Sequence, residues 1–324
     1  MTPSFDSLRL CLDRALDFLV ANQKPCGEFS VDQFDNPALD GAARSDPAIF
    51  LATFVLHALR FIEDPRAVHL IESMRRFLKA EERENGIWRY RLTNDPDPLP
   101  GDLDDTCCAA FELWGRAPAS GEQPPNVAIV LANRDEEGRF KTWLRPTDAH
   151  NDADAVVNAN VLLYLGAREE TMQAANFLIE AIEQGTEATA MHYYLDSLAL
   201  YYAVSRAYHH GVVEFSRCRD TILTKTAARL EGEDMDALSM ALGFCSLINY
   251  GLRPMESHPE MLARLVAQQQ SDGSWPKAAF YSGPGPPWEP QAWWGSAEMT
   301  TSFCVEAIAR VIGQRNAAST GKML

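Results

Sequence analysis

Leu265-Val266-Ala267-Gln268-Gln269-Gln270-Ser271-Asp272-Gly273-Ser274-Trp275 is the fullest copy of a pattern that recurs along the chain. Each copy follows a helix-forming run and places an aromatic residue two positions after a glycine: Gly27-Glu28-Phe29, Gly86-Ile87-Trp88, Gly138-Arg139-Phe140 and Gly273-Ser274-Trp275. Phe18-Leu19-Val20-Ala21-Asn22-Gln23 leads into the first copy as Leu265 to Gln270 leads into the last. A glycine just past a helix can take the left-handed backbone that ends it. The aromatic can then pack back over the helix just finished. Repetition of this kind marks an array of helical units that share one core.

Between the copies, apolar residues recur at helical spacing and no strand-like alternation stands out. The periodicity predicts about twelve helices in pairs. The first members are amphipathic: Ser4 to Asn22, Pro65 to Glu84 and Glu170 to Glu183. The second members are rich in Ala, Leu and aromatics: Asp46 to Phe61, Asp104 to Trp114, Asp154 to Leu165, Tyr193 to Tyr208, Asp234 to Tyr250 and Glu298 to Val311. An amphipathic helix has one wet side, and a helix apolar all round is buried on both. Alternation of the two around a ring gives an outer and an inner layer. The interval from Gly138 to Gly273 has room for two degenerate copies, which makes six pairs in one domain over residues 1–324. The last ~10 residues are expected to be a disordered tail.

The 324 residues are 46% hydrophobic, enough for one large core. The formal net charge is −16, which makes nucleic acid a poor partner. No uncharged apolar run reaches the length of a membrane span. Met1-Thr2-Pro3-Ser4 leads straight into a charged amphipathic stretch rather than a secretory leader. The seven cysteines, without a C-x-x-C pair, read as reduced packing residues of a cytoplasmic protein.

Asp102-Leu103-Asp104-Asp105-Thr106 opens one of the inner helices. Asp is a favoured N-cap, and Asp46, Asp152, Asp154, Asp234, Asp236 and Glu298 also stand at predicted helix starts. Capping is the expectation for Asp46, Asp236 and Glu298. One cap explains one Asp, not three in four residues. Carboxyls crowded this closely cannot all ionise, so at least one is expected to hold its proton.

Residues 265–275 resemble the QW repeat of the squalene cyclase and prenyltransferase-β superfamily. Asp102 to Thr106 resembles the D-x-D-D-T motif of class II, protonation-initiated terpene cyclases. The resemblance implies an all-α (α/α)6 toroid and a cyclase that protonates an isoprenoid alkene to start carbocation cyclisation, a prenyl diphosphate being the expected substrate. By the motif, Asp104 is the acid, and Asp102 and Asp105 support its protonation and orientation. The family places a histidine or other polar group beside the acid, for which His150 and His192 are candidates. It also implies two toroids. This chain has room for one, so either its own barrel holds the substrate, or a homodimer or a partner domain supplies the second.

A cyclase shields its cations with aromatic faces. Tyr193, Tyr194, Trp293 and Trp294 stand at predicted helix starts on the motif's side, with Trp114, Tyr201, Trp288 and Phe303 as further candidates. In Asp152-Ala153-Asp154-Ala155-Val156-Val157-Asn158-Ala159-Asn160, Asn158 shares a helical face with Asp154 and either binds substrate or braces neighbouring helices. A diphosphate would call on Arg44, Arg89, Arg91, Lys141, Arg145 or Lys277, and on Mg2+ held by acids such as Asp35 or Asp40. No motif stands behind these, and solvated surface charge is the plainer reading. No cofactor is otherwise required and no metal ligand set is assigned. Asp105-Thr106-Cys107 has the Asp-x-Cys spacing of a prenyltransferase β-like zinc protein, but the last inner helix has no His. A toroid that binds an isoprenoid or a protein without catalysis is the remaining alternative.

Overall fold

The computed structural model describes residues 3–96, 99–145, 151–232, 234–283 and 291–320, without the side chains of 316–320. The outer helices are α1 (Phe5–Asn22), α3 (Pro65–Glu81), α5 (Asn126–Ala132), α7 (Met172–Gln184), α9 (Arg219–Leu230) and α11 (Pro259–Ala267). The inner helices are α2 (Phe50–Leu59), α4 (Leu103–Trp114), α6 (Ala155–Leu165), α8 (Ser197–His209), α10 (Ala237–Asn249) and α12 (Ala297–Thr320). Each inner helix packs on the next, and α12 packs back on α2, so the six form a closed ring. α2 and α6 are buried along their whole length, as expected of mostly apolar helices, with Thr53, His57, Asn158 and Asn160 as their buried polar side chains. Helix α12 continues to Thr320, into the stretch expected to be a tail.

The four glycine–aromatic copies share one turn. Gly27 donates to the Lys24 carbonyl and Lys24 to the Glu28 carbonyl; Gly273 donates to Gln270 and Gln270 to Ser274 in the same way. The glycines therefore sit in the turn beyond the helix, not at its end. Both have positive φ, 99° and 93°. A Cβ on Gly27 would lie 2.5 Å from the Ser73 carbonyl oxygen on α3, and one on Gly273 would lie 2.2 Å from that of Arg14 on α1. At these two glycines the turn is thus pressed against a neighbouring outer helix, the last turn against the first helix. Gln269 Nε2 donates to the Cys11 carbonyl at 2.8 Å, and Arg14 to that of Gln270 at 2.7 Å, across the same seam. Trp88 and Trp275 are fully buried, and each indole N–H donates at 2.7 Å to the carbonyl ten residues back, Leu78 and Leu265. These two tryptophans do fold back over the helix just completed.

The chain is not wholly helical. β1 (Val31–Phe34), β2 (Arg44–Asp46), β3 (Tyr281–Gly283) and β4 (Ala292–Gly295) form an antiparallel sheet in the order β2-β1-β4-β3. Asp32 pairs with Gly295 and Phe34 with Trp293, which joins the first unit to the last. Strands of three or four residues are too short to show an alternating pattern, which is why the sequence reading missed them. Among the described residues no helix is long and apolar enough to cross a membrane. All seven cysteines are free, and only Cys26 is exposed.

Candidate active site

The inner-helix N-termini carry unpaired backbone N–H groups and a partial positive charge, so acids collect there. Asp102, Asp154, Asp196 and Asp236 each cap their helix. Asp46 does not, contrary to expectation. It ends strand β2 and accepts from Tyr90 Oη at 3.1 Å and Trp294 Nε1 at 2.7 Å. Glu298 does not cap α12 either; Ser296 Oγ accepts from the Met299 N–H at 3.1 Å.

In the Asp102 to Asp105 cluster the three acids have three different surroundings. Asp102 is the cap and accepts from the Asp105 N–H at 2.7 Å. Asp105 is 2% exposed, so burial, and then the charge of Asp102, push its carboxyl well above the usual range. Burial also raises Asp102, to about 6. Asp104 is half-buried, in the first turn of α4. Its Oδ1 accepts from Asn160 Nδ2 at 2.6 Å, and its Oδ2 from the Tyr194 hydroxyl. Burial lifts Asp104 to about 7, against these two donors, which pull it down. The site therefore keeps a proton on Asp104 near neutrality and has two donors in place for the anion left when the proton departs.

The amide of Asn160 has one orientation. Arg206, which can only donate, holds Asn160 Oδ1 at 2.7 Å, so Nδ2 must face Asp104. Tyr194 is placed by Asp154, whose buried carboxylate accepts from the N–H groups of Val156 and Val157 in its own helix. It also accepts from those of His192 at 2.6 Å and Tyr193 at 3.2 Å. This one residue ties the strand-like segment before α8 to the start of α6. Tyr194 then meets Phe280 at 5.2 Å and Phe50 at 6.5 Å between ring centroids. Phe280 meets Phe54 at 5.6 Å and Phe303 at 5.1 Å, edge-on or tilted, so the tyrosine that holds the acid belongs to a cluster of buried aromatic rings.

The other candidates fall in different places. Tyr193 turns to the rim, where its hydroxyl donates to Asp152 at 2.7 Å and accepts from Trp143 at 2.8 Å. Trp294 stacks on Tyr281 at 5.5 Å, and Trp293 is half-buried in β4. Trp114 is 38% exposed at the opposite end of α4 from Asp104. Tyr201 bonds to Glu187 at 2.7 Å, away from the acid. Asn158 braces: it donates to the carbonyls of Phe140 at 2.9 Å and Asp154 at 2.8 Å, and accepts from the Phe140 N–H at 2.8 Å. His192 is exposed, and its backbone rather than its ring reaches the site. His150 and Trp288 lie outside the described residues. Asn160 and Arg206 were not singled out, although each is a polar side chain in a mostly apolar inner helix, which is a readable signal.

Among the described residues no three His, Cys, Asp or Glu side chains are grouped to hold a metal ion. Asp35 pairs with Arg44, Arg91 with Asp95 at 3.7 Å, and Arg145 and Lys277 lie over Trp143 and Phe34.

No protein-family model matches the chain, and no curated protein matches it. Solved structures do. The type II terpene cyclase MstE from Scytonema superposes with a TM-score of 0.71 at 15% identity, over 96% of this chain and 99% of that one. The chain has a type II terpene cyclase-like fold. A variant of MstE solved with geranylgeranyl dihydroxybenzoate, its substrate, matches with a TM-score of 0.70 at 15% identity, over 95% of this chain and 98% of that one. An unsaturated glucuronyl hydrolase specific for heparin matches less closely, with a TM-score of 0.58 at 11% identity, over 97% of this chain and 99% of that one. The same ring of helices thus serves unrelated chemistries, and function has to be argued from the site.

Proposed function

We propose that this protein is a type II terpene cyclase, a single (α/α)6 toroid in which Asp104 protonates an isoprenoid alkene. The observation that carries this is Asp104 itself, a carboxyl raised to about 7 and held by two donors, one of them on a tyrosine that packs against Phe280. The proton passes from Asp104 to a terminal alkene carbon, and the neighbouring double bonds close on the tertiary cation. Asn160 and Tyr194 stabilise the carboxylate left behind. Phe280, Phe50 and Phe54 offer π-faces that attract the cation without trapping it.

The match to MstE covers 96% of this chain and 99% of that one, which supports a reaction held within one barrel. A polyprenyl chain with an aromatic or other metal-free head suits the described residues better than a prenyl diphosphate. Among the described residues no three His, Cys, Asp or Glu side chains are grouped to hold Mg2+ or zinc, and four of the basic candidates already have partners. No step here runs through a metal. The repeated turn supports the QW reading of residues 265–275, because both tryptophans make the same long-range indole bond.

The test is incubation of the protein with geranylgeranyl dihydroxybenzoate, farnesyl diphosphate, geranylgeranyl diphosphate and squalene, with and without Mg2+. Cyclised product is expected from at least one, and none from Asp104→Asn. A D104N protein that cyclises as fast as the parent overturns the assignment.

A further inference from the structure

We infer that Arg206 is a positioning residue for the proton transfer: it excludes the orientation of the Asn160 amide that would hold the proton on Asp104. This rests on the cyclase reading above. In the ring order α2-α4-α6-α8-α10-α12, α8 stands opposite α2. Arg206 rises from α8, yet its guanidinium carbon lies 5.4 Å from the Phe54 ring on α2, and 5.3 Å from that of Tyr202 on its own helix. Its Nη2 reaches Asn160 Oδ1 on α6 at 2.7 Å and Cys108 Sγ on α4 at 3.7 Å. Cys108 is four residues on from Asp104, so the guanidinium stands about one helical turn beneath the acid.

Arg206 is 3% exposed and makes no ion pair among the described residues. A guanidinium buried without a paired carboxylate is costly, and a hydrocarbon side chain would fill the same space without that cost. What the arginine adds is a set of N–H donors that cannot become acceptors at any assay pH.

The Asn160 amide has one partner at each end, Asp104 at Nδ2 and Arg206 at Oδ1. The two ends of a primary amide have nearly the same shape, so packing alone does not choose between them. Their effects on the acid are opposite. With Nδ2 toward Asp104, the amide donates to the carboxylate and favours release of the proton. With Oδ1 toward Asp104, it would accept from the protonated carboxyl and hold the proton there. The flipped amide would also turn its N–H donors toward a guanidinium that has no acceptor. Arg206 therefore leaves only the releasing orientation. The transfer itself is unaltered: the alkene π pair takes the proton, and the O–H pair stays on the Asp104 carboxylate.

The full chain is assayed across pH 5–9 on geranylgeranyl dihydroxybenzoate, or on whichever polyprenyl compound it converts, with circular dichroism as the control for folding. Arg206→Met should lower kcat about tenfold or more with little change in KM. It should also move the pH at which activity is lost upward by about one unit, because an amide free to flip favours the protonated acid. In an Asn160→Ala background the same replacement should change kcat by no more than about threefold, since the amide through which Arg206 acts is gone. A folded R206M with native kcat and pH profile overturns the inference. So does an R206M effect that is undiminished in N160A, which would mean that Arg206 acts through its own charge or through packing. Should R206M fail to fold, Arg206→Gln takes its place with the same expectations, because a glutamine amide can donate or accept and no longer dictates the orientation of Asn160. Either result leaves the cyclase reading standing, whereas a native protein that converts no polyprenyl compound removes that reading and the role of Arg206 with it.

Discussion

Replacing Tyr194 with Phe removes one hydroxyl and keeps the ring that packs on Phe280. In the native site that hydroxyl donates to Asp104 Oδ2, and it favours the carboxylate over the acid. A hydrogen bond to a charged group contributes about 1.5–3 kcal/mol. Its loss should raise Asp104 from about 7 by about one to two pH units, since each unit corresponds to about 1.4 kcal/mol. The same energy is lost from the anion that forms as the proton leaves. The rate of the protonation step should fall by up to about 10- to 100-fold, while the pH at which activity is lost moves upward. Y194F would therefore be slower at pH 6 yet keep its activity further into the alkaline range. The assay is product formation on a polyprenyl substrate across pH 5–9, with circular dichroism as a control for folding. A folded Y194F with native rate and an unmoved pH profile would refute the role given to the hydroxyl.

Activity of the native protein should decline as pH rises through about 7, because the reacting form of Asp104 is the protonated one. Stability follows the same sign. A carboxyl raised by burial favours the folded state below its unfolded value and loses that contribution as pH rises toward 7. Asp104→Asn should thus melt higher than the native protein at pH 8, by on the order of 1–3 kcal/mol after solvent screening, and show little advantage at pH 4. Asn158→Ala leaves the buried N–H and carbonyl of Phe140 without a partner and should cost about 2–4 kcal/mol in chemical denaturation. An unchanged midpoint would show that the amide braces nothing. Gly273→Ala forces a Cβ to 2.2 Å from a carbonyl of α1 at positive φ, and should open the seam between the last and first units. Increased proteolysis or exchange in α1 is the expected reading, and native protection there would contradict it.

The repeat from Gly27 to Trp275 was legible in the sequence because it acts locally. A glycine, an aromatic two residues on and a helix behind it specify a turn whatever surrounds them. The same holds for helical periodicity and for the three crowded acids. What sequence could not assign was which polar groups meet across the barrel. Tyr194 and Asp104 are 90 residues apart, and their hydrogen bond depends on Asp154 fastening a third segment. Tyr193 and Tyr194 looked equivalent on paper, but successive side chains of an extended segment point to opposite sides. One therefore lies at the rim and the other on the acid. Asp46 looked like another cap until strand pairing drew it out of the helix. Arg206 looked like one basic residue in a helix, and only closure of the ring brings it across the axis to Phe54. Sequence by itself determined the repeating units and the acid cluster, because both depend on neighbours within a few turns. Tertiary structure alone decided what holds the acid and what lies beneath it, because a closed ring brings into contact side chains that no local spacing relates.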